Sequence, residues 1–149
     1  MTMCFNGRYP IKNFGILLLW LPRLLLAFLF ILAGTLKVIR PDVFLDNILN
    51  YRLVSHSFAW LAAFYLPVLE ITAGLALLVN KTCRSAAWIL MLCMVVFVIA
   101  LLLAWGRGLN IECGCFGALF PLADYAWILV RDGVIISLLL WILMKTSFK

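Results

Sequence analysis

The chain has 149 residues, of which 67% are hydrophobic and only 12% charged, with a formal net charge of +6. A soluble domain carries about 25% charged residues, so this composition excludes an ordinary water-exposed surface and points to a membrane protein. The basic residues stand singly between apolar runs and form no patch, which suits loops facing an anionic leaflet and argues against a nucleic-acid partner.

Residues 1–14 are short and polar, with Arg8 and Lys12, and Gly15 to Leu36 then supplies the roughly 20 apolar residues that a spanning helix needs. A signal peptide is the competing reading. This run is longer than the usual apolar core of about 7–15 residues, contains Pro22 and Arg23, and ends in Ala33-Gly34-Thr35 without an A-x-A site, so a retained helix is expected. Lys37 to Ser55 is amphiphilic: Val43, Phe44, Ile48 and Leu49 recur at helical spacing beside Asp42, Asp46 and Asn50. It is too short and polar to span, which predicts a surface-lying helix with Asp42 as N-cap after Pro41.

His56 to Val79 reads as the second span, interrupted by Pro67 and carrying Glu70, and Asn80-Lys81-Thr82-Cys83-Arg84 as a tight basic turn. Ala86 to Trp105 is the third span. A glycine-rich loop from Gly106 to Pro121 leads into the fourth, Leu122 to Met144, which contains Arg131 and Asp132. The expected fold is all-α: one polytopic membrane domain over 1–149, a four-transmembrane-helix bundle with a short amphipathic helix between spans 1 and 2.

Four spans place the N-terminus, the turn near residue 82 and the C-terminus on one side. That side carries Arg8, Lys12, Lys81, Arg84, Lys145 and Lys149, six bases, against Lys37, Arg40, Arg52 and Arg107, four, on the other. The bias favours cytoplasmic termini in a bacterial inner membrane. The loop before the fourth span then faces the outside, where disulfides form and persist.

That loop holds Glu112-Cys113-Gly114-Cys115-Phe116-Gly117. Two cysteines at i and i+2 can close a small ring, and Gly114 permits backbone angles that a residue with a Cβ resists. Strain in such a ring raises its reduction potential, which favours thiol–disulfide exchange at Cys113 and Cys115 over permanent stapling. A structural disulfide or simple packing is the plainer alternative. One CxC without a second cysteine pair or a nearby histidine makes a poor metal site, so no metal is expected.

Arg23, Glu70, Arg131 and Asp132 lie inside spans, where an ionisable group needs a partner or a hydrated cavity. Arg23 lies 13 residues before Leu36 and Glu70 lies 14 after His56, which puts both roughly 20 Å below the outer end and predicts an Arg23–Glu70 ion pair. Arg131 and Asp132 sit roughly 14 Å down their own span. The stripe Arg23, Ala27, Phe30, Gly34, Lys37 matches the stripe Ala63, Pro67, Glu70, Gly74, and the small residues on both allow close approach. The network reads either as a register-fixing ion pair or as a route for protons coupled to thiol chemistry. Lys37 and His56, at the outer boundary, are candidates for supporting the dithiol; an interfacial polar role is the competing reading of His56. The six tryptophans fall mostly near span ends, as an aromatic belt does.

Ala33-Gly34-Thr35-Leu36-Lys37 closing the first helix, Leu66-Pro67-Val68-Leu69-Glu70 in the second, Cys113-Gly114-Cys115-Phe116-Gly117 before the fourth and Arg131-Asp132 within it resemble the MauE family of methylamine-utilisation membrane proteins, among the DoxX-like four-helix proteins. The resemblance covers roughly residues 15 to 144. It implies an inner-membrane bundle working with a periplasmic thioredoxin-like protein in disulfide formation or in maturation of a redox enzyme, methylamine dehydrogenase in the named case. A membrane quinone is then one candidate for re-poising the dithiol. A noncatalytic anchor or assembly factor is the alternative, and a small transporter using Arg23 and Glu70 a third.

Overall fold

A computed structural model describes residues 13–108 and 125–147. Within them the chain forms five helices: α1 (Asn13–Ile39), α2 (Pro41–Asn50), α3 (His56–Leu78), α4 (Cys83–Gly106) and α5 (Tyr125–Ser147). Four contain segments long and apolar enough to cross a bilayer, Trp20–Ile39, His56–Leu78, Cys83–Gly106 and Ala126–Lys145. The expected architecture of four apolar helices with a short one between the first two is therefore present. α1 runs three residues past Leu36, which brings Lys37 inside its last turn, and α4 begins at Cys83, ahead of the expected Ala86.

The short helix departs from expectation at its start. Arg40 is the N-cap, with extended-side angles of φ −128° and ψ 70°, and Pro41 takes the first helical position. Proline fits there because that N–H has no intrahelical acceptor anyway, so the cap falls two residues earlier than a reading centred on side-chain oxygens suggests. Asp42 sits instead in the first turn, where its charge meets the positive end of the helix dipole.

α1 packs against α3, α3 against α4, α4 against α5, and α5 returns to α1; α2 lies on α3 and α1. The α1–α3 crossing is set by two glycines. A Cβ on Gly34 would lie 2.7 Å from Ile71 Cγ1 and 2.8 Å from the Pro67 carbonyl oxygen. One on Gly74 would lie 3.0 Å from Ile31 Cγ1 and 3.3 Å from the Ala27 carbonyl oxygen. Residue 34 thus faces 67–71 while 74 faces 27–31, an antiparallel register fixed by two notches through which the backbones approach.

The surface and interior are arranged for lipid. Phe28, Leu61, Phe64, Leu92 and Val96 are exposed, whereas Arg23, Lys37, Glu70 and Asp132 are buried. Without water outside, apolar side chains face the acyl chains and ionisable ones turn inward. The larger core cluster contains Leu26, Leu77, Leu90 and Leu139, and a smaller one is formed by Leu101 and Ile128. Along α4 and α5 the gap between the clusters is where the charged side chains gather.

Candidate functional site

Cys113 and Cys115 lie outside the described residues. Their segment connects α4, which ends at Gly106, to α5, which begins at Tyr125. The described site is a group of charges, most of them buried, in the half of the bundle toward that end.

Lys37, in the last turn of α1, donates from Nζ to both carboxylate oxygens of Glu70 on α3, at 2.5 and 2.7 Å. The two side chains are 2% and 8% exposed, so almost no solvent screens them. Phe44 of α2 brings its ring to 4.9 Å from the same Nζ, a cation–π contact that closes the pair from above. This explains why an amphiphilic helix follows α1 directly: its apolar face covers an ion pair.

On α5, Arg131 donates from Nε and Nη2 to Oδ1 of Asp132, at 3.0 and 2.9 Å. Adjacent helical residues point about 100° apart, so the long arginine side chain must fold back to reach its neighbour. Asp132 is buried, while Arg131 keeps partial exposure. All four charged residues line one cavity of ≈ 30 Å³, with Ala33 from α1 and Met94 and Phe97 from α4 among its other walls. Two cations and two anions make the cluster neutral as a whole. Asp132 lies seven residues into α5, about 10 Å along its axis, and Phe97 lies nine residues before the end of α4, about 14 Å.

The predicted Arg23–Glu70 pair does not form. Arg23 is buried, donates from Nε to the Leu77 carbonyl and from Nη1 to Asn80 Oδ1 at 2.7 Å, and packs 4.8 Å from the Trp20 ring. The expectation levelled the outer ends of spans 1 and 2 and counted inward. The glycine notches instead place residue 67 opposite residue 34, so α3 extends well past the end of α1, and α2 packs alongside that extension. In this register Glu70 meets Lys37. Arg23, 14 residues and about 21 Å further along α1, meets the last turn of α3. There its cation satisfies a terminal carbonyl and opposes the negative end of the helix dipole.

His56 is exposed at the first residue of α3, about 21 Å along the axis from Glu70, and takes no part in the cavity. Cys83, buried at the start of α4, and Cys93 form no disulfide among the described residues. The ≈ 30 Å³ cavity is far below the roughly 300 Å³ or more of pockets that hold drug-sized ligands.

Glu70 and Asp132 are buried and Arg131 partly so, as expected of interior charges; Lys37, expected at the outer face, is buried instead, and Asn80, expected only in a turn, holds Arg23. Gly34 and Gly74 carried the missing signal: pairing the two helices by their glycines, in place of their ends, brings Lys37 to Glu70 and Arg23 to Asn80.

Residues 16–145 match the family described as Methylamine utilisation protein MauE. Among curated proteins, the chain is similar to the Methylamine utilization protein MauE of Paracoccus denitrificans, with 30% identity over 126 residues. That match covers 83% of this chain and 66% of the relative, so the chain spans just under two thirds of that protein's length. No solved structure matches.

Proposed function

The chain belongs to the MauE family of methylamine utilisation proteins, and from that premise we propose that it is an inner-membrane thiol–disulfide redox protein. It acts with a periplasmic thioredoxin-like partner, in disulfide formation or in maturation of a redox enzyme such as methylamine dehydrogenase. The observation that carries the reading is Cys113-Gly114-Cys115 itself, two thiols one residue apart, in the segment joining the helix ends that stand over the buried ion cluster.

The chemistry is exchange. A thiolate of one member of the pair attacks the disulfide of the partner, or the partner's thiolate attacks the ring; in each step one S–S bond forms as another breaks. The second sulfur resolves the mixed disulfide, so the two cysteines act as one unit. The Lys37–Glu70 pair ties α1 to α3, and the Arg131–Asp132 pair, within α5, borders the same cavity.

The orientation follows from the bases. Arg8, Lys12, Lys81, Arg84, Lys145 and Lys149 lie outside the spans on one side. That gives six against Lys37, Arg40, Arg52 and Arg107, four, and supports cytoplasmic termini with the dithiol facing the periplasm.

A second reading, a noncatalytic membrane anchor or assembly factor, is favoured by how fully Lys37 and Glu70 satisfy one another, as a purely architectural pair does. Replacing both Cys113 and Cys115 by serine separates the two. Loss of partner oxidation supports redox exchange. Unchanged oxidation with lost recruitment of the partner to membranes supports the anchor.

A further inference from the structure

The cavity between the two ion pairs has a composition that specifies its occupant. Asp132 is 1% exposed, and its Oδ2 has no hydrogen-bond partner among the described residues, while the bonds from Arg131 Nε and Nη2 both go to Oδ1. A buried carboxylate oxygen left in that condition is costly. Glu70 lines the same space, and each of its oxygens accepts one bond from Lys37 while retaining further acceptor capacity. Two acceptors on different helices thus border one small cavity.

A volume of ≈ 30 Å³ exceeds the roughly 10–15 Å³ that a water requires and is far too small for a drug-sized ligand. Charge narrows the choice further. A metal cation would face Lys37 and Arg131, and an anion would face Glu70 and Asp132, so a small neutral molecule that donates twice fits best.

We propose that this cavity is a hydration site in which one bound water donates to Asp132 Oδ2 and to the Glu70 carboxylate, joining the Lys37–Glu70 and Arg131–Asp132 pairs into one network across α1, α3 and α5. The water supplies Asp132 with its missing donor. It also makes the two ion pairs respond together, since displacing either carboxylate breaks the bridge. This site stands independently of the chemistry at Cys113 and Cys115.

Radiolytic hydroxyl-radical labelling of the full chain in lipid nanodiscs tests the proposal, because radicals generated from a bound water oxidise the side chains beside it. α4 carries its own control. Met94 lines the cavity and Met91 does not, yet they are 8% and 7% exposed. Met94 is expected to be oxidised several-fold faster than Met91. Two variants assign the excess: Asp132→Leu removes the acceptor, and Ala33→Val fills the cavity with all four charges retained. Both should bring Met94 down to the rate of Met91, while a slow Met91 rate reports that the bundle remains folded. Equal rates for the two methionines in the unaltered chain would overturn the proposal. So would an excess at Met94 that survives Ala33→Val, or one that is lost there but persists in Asp132→Leu, since the water would then not be held by Asp132.

Discussion

Replacing Glu70 by glutamine leaves the Lys37 ammonium in a site that is 2% exposed, with two hydrogen bonds to a carboxylate, at 2.5 and 2.7 Å, reduced to one to a neutral amide. Removing one partner of such a buried pair costs about 3–5 kcal/mol, and the near-absence of solvent leaves little screening to discount. The Phe44 ring at 4.9 Å returns only about 0.5–2 kcal/mol of cation–π attraction, which is already present in the unaltered chain and offsets nothing new. Lys37→Met, which strands the Glu70 carboxylate, should cost a similar amount. The double variant Lys37→Met/Glu70→Gln should cost much less than the sum, because no charge remains uncompensated. Equilibrium unfolding by SDS in mixed micelles reads all three. Single variants within about 1 kcal/mol of the parent, or a double variant equal to the sum of the singles, would refute the pairing. Arg23→Met combined with Glu70→Gln provides the contrast, since those side chains have separate partners and their effects should add.

Gly34→Ala should destabilise by about 1–3 kcal/mol, because the new methyl meets a backbone carbonyl at 2.8 Å as well as Ile71, whereas Gly74→Ala, whose nearest contact is a side-chain carbon at 3.0 Å, should cost less in the same unfolding assay. Arg23→Met removes two hydrogen bonds at the end of α3 and should cost about 1.5–3 kcal/mol, seen as faster amide exchange in residues 75–80. Cys83→Ala and Cys93→Ala should leave thiol exchange intact, because neither forms a disulfide among the described residues and α4 begins with Cys83 at the end opposite the dithiol segment. Exchange activity that disappears with either would contradict that assignment. An impermeant thiol reagent applied to spheroplasts after reduction should label position 113 or 115, and labelling that requires access from the cytoplasmic side would reverse the topology.

The four spans were legible because lipid imposes the strictest of constraints: each needs an unbroken apolar run that satisfies its own backbone, and Pro22 and Pro67 inside α1 and α3 do not prevent it. The buried stripes were legible for the same reason, and Arg23, Ala27, Phe30, Gly34 and Lys37 are all buried together. Depth was not. Counting from helix ends assumes that neighbouring helices start level, and here the glycine notches shift α3 along α1 by about three turns, which exchanges the partners of Arg23 and Glu70. The cap of α2 was misplaced for a local reason: Asp42 has the side chain of a cap, but Pro41 has the backbone of a first helical residue, and the backbone requirement prevails. The role of Phe44 was invisible to periodicity, which marks it as apolar without revealing that its ring covers a cation.

The most direct test of the account is to leave one cysteine of the pair. In intact membranes Cys113→Ser or Cys115→Ser removes the sulfur that resolves the intermediate, so one of the two variants should accumulate a mixed disulfide, reducible by thiol reagents, whose other half is identified by mass spectrometry as a thioredoxin-like periplasmic protein. The same adduct should be absent from the Cys113→Ser/Cys115→Ser double variant. Failure of both single variants to trap any partner, while the double variant supports partner oxidation as well as the parent chain does, would contradict a redox role for this dithiol.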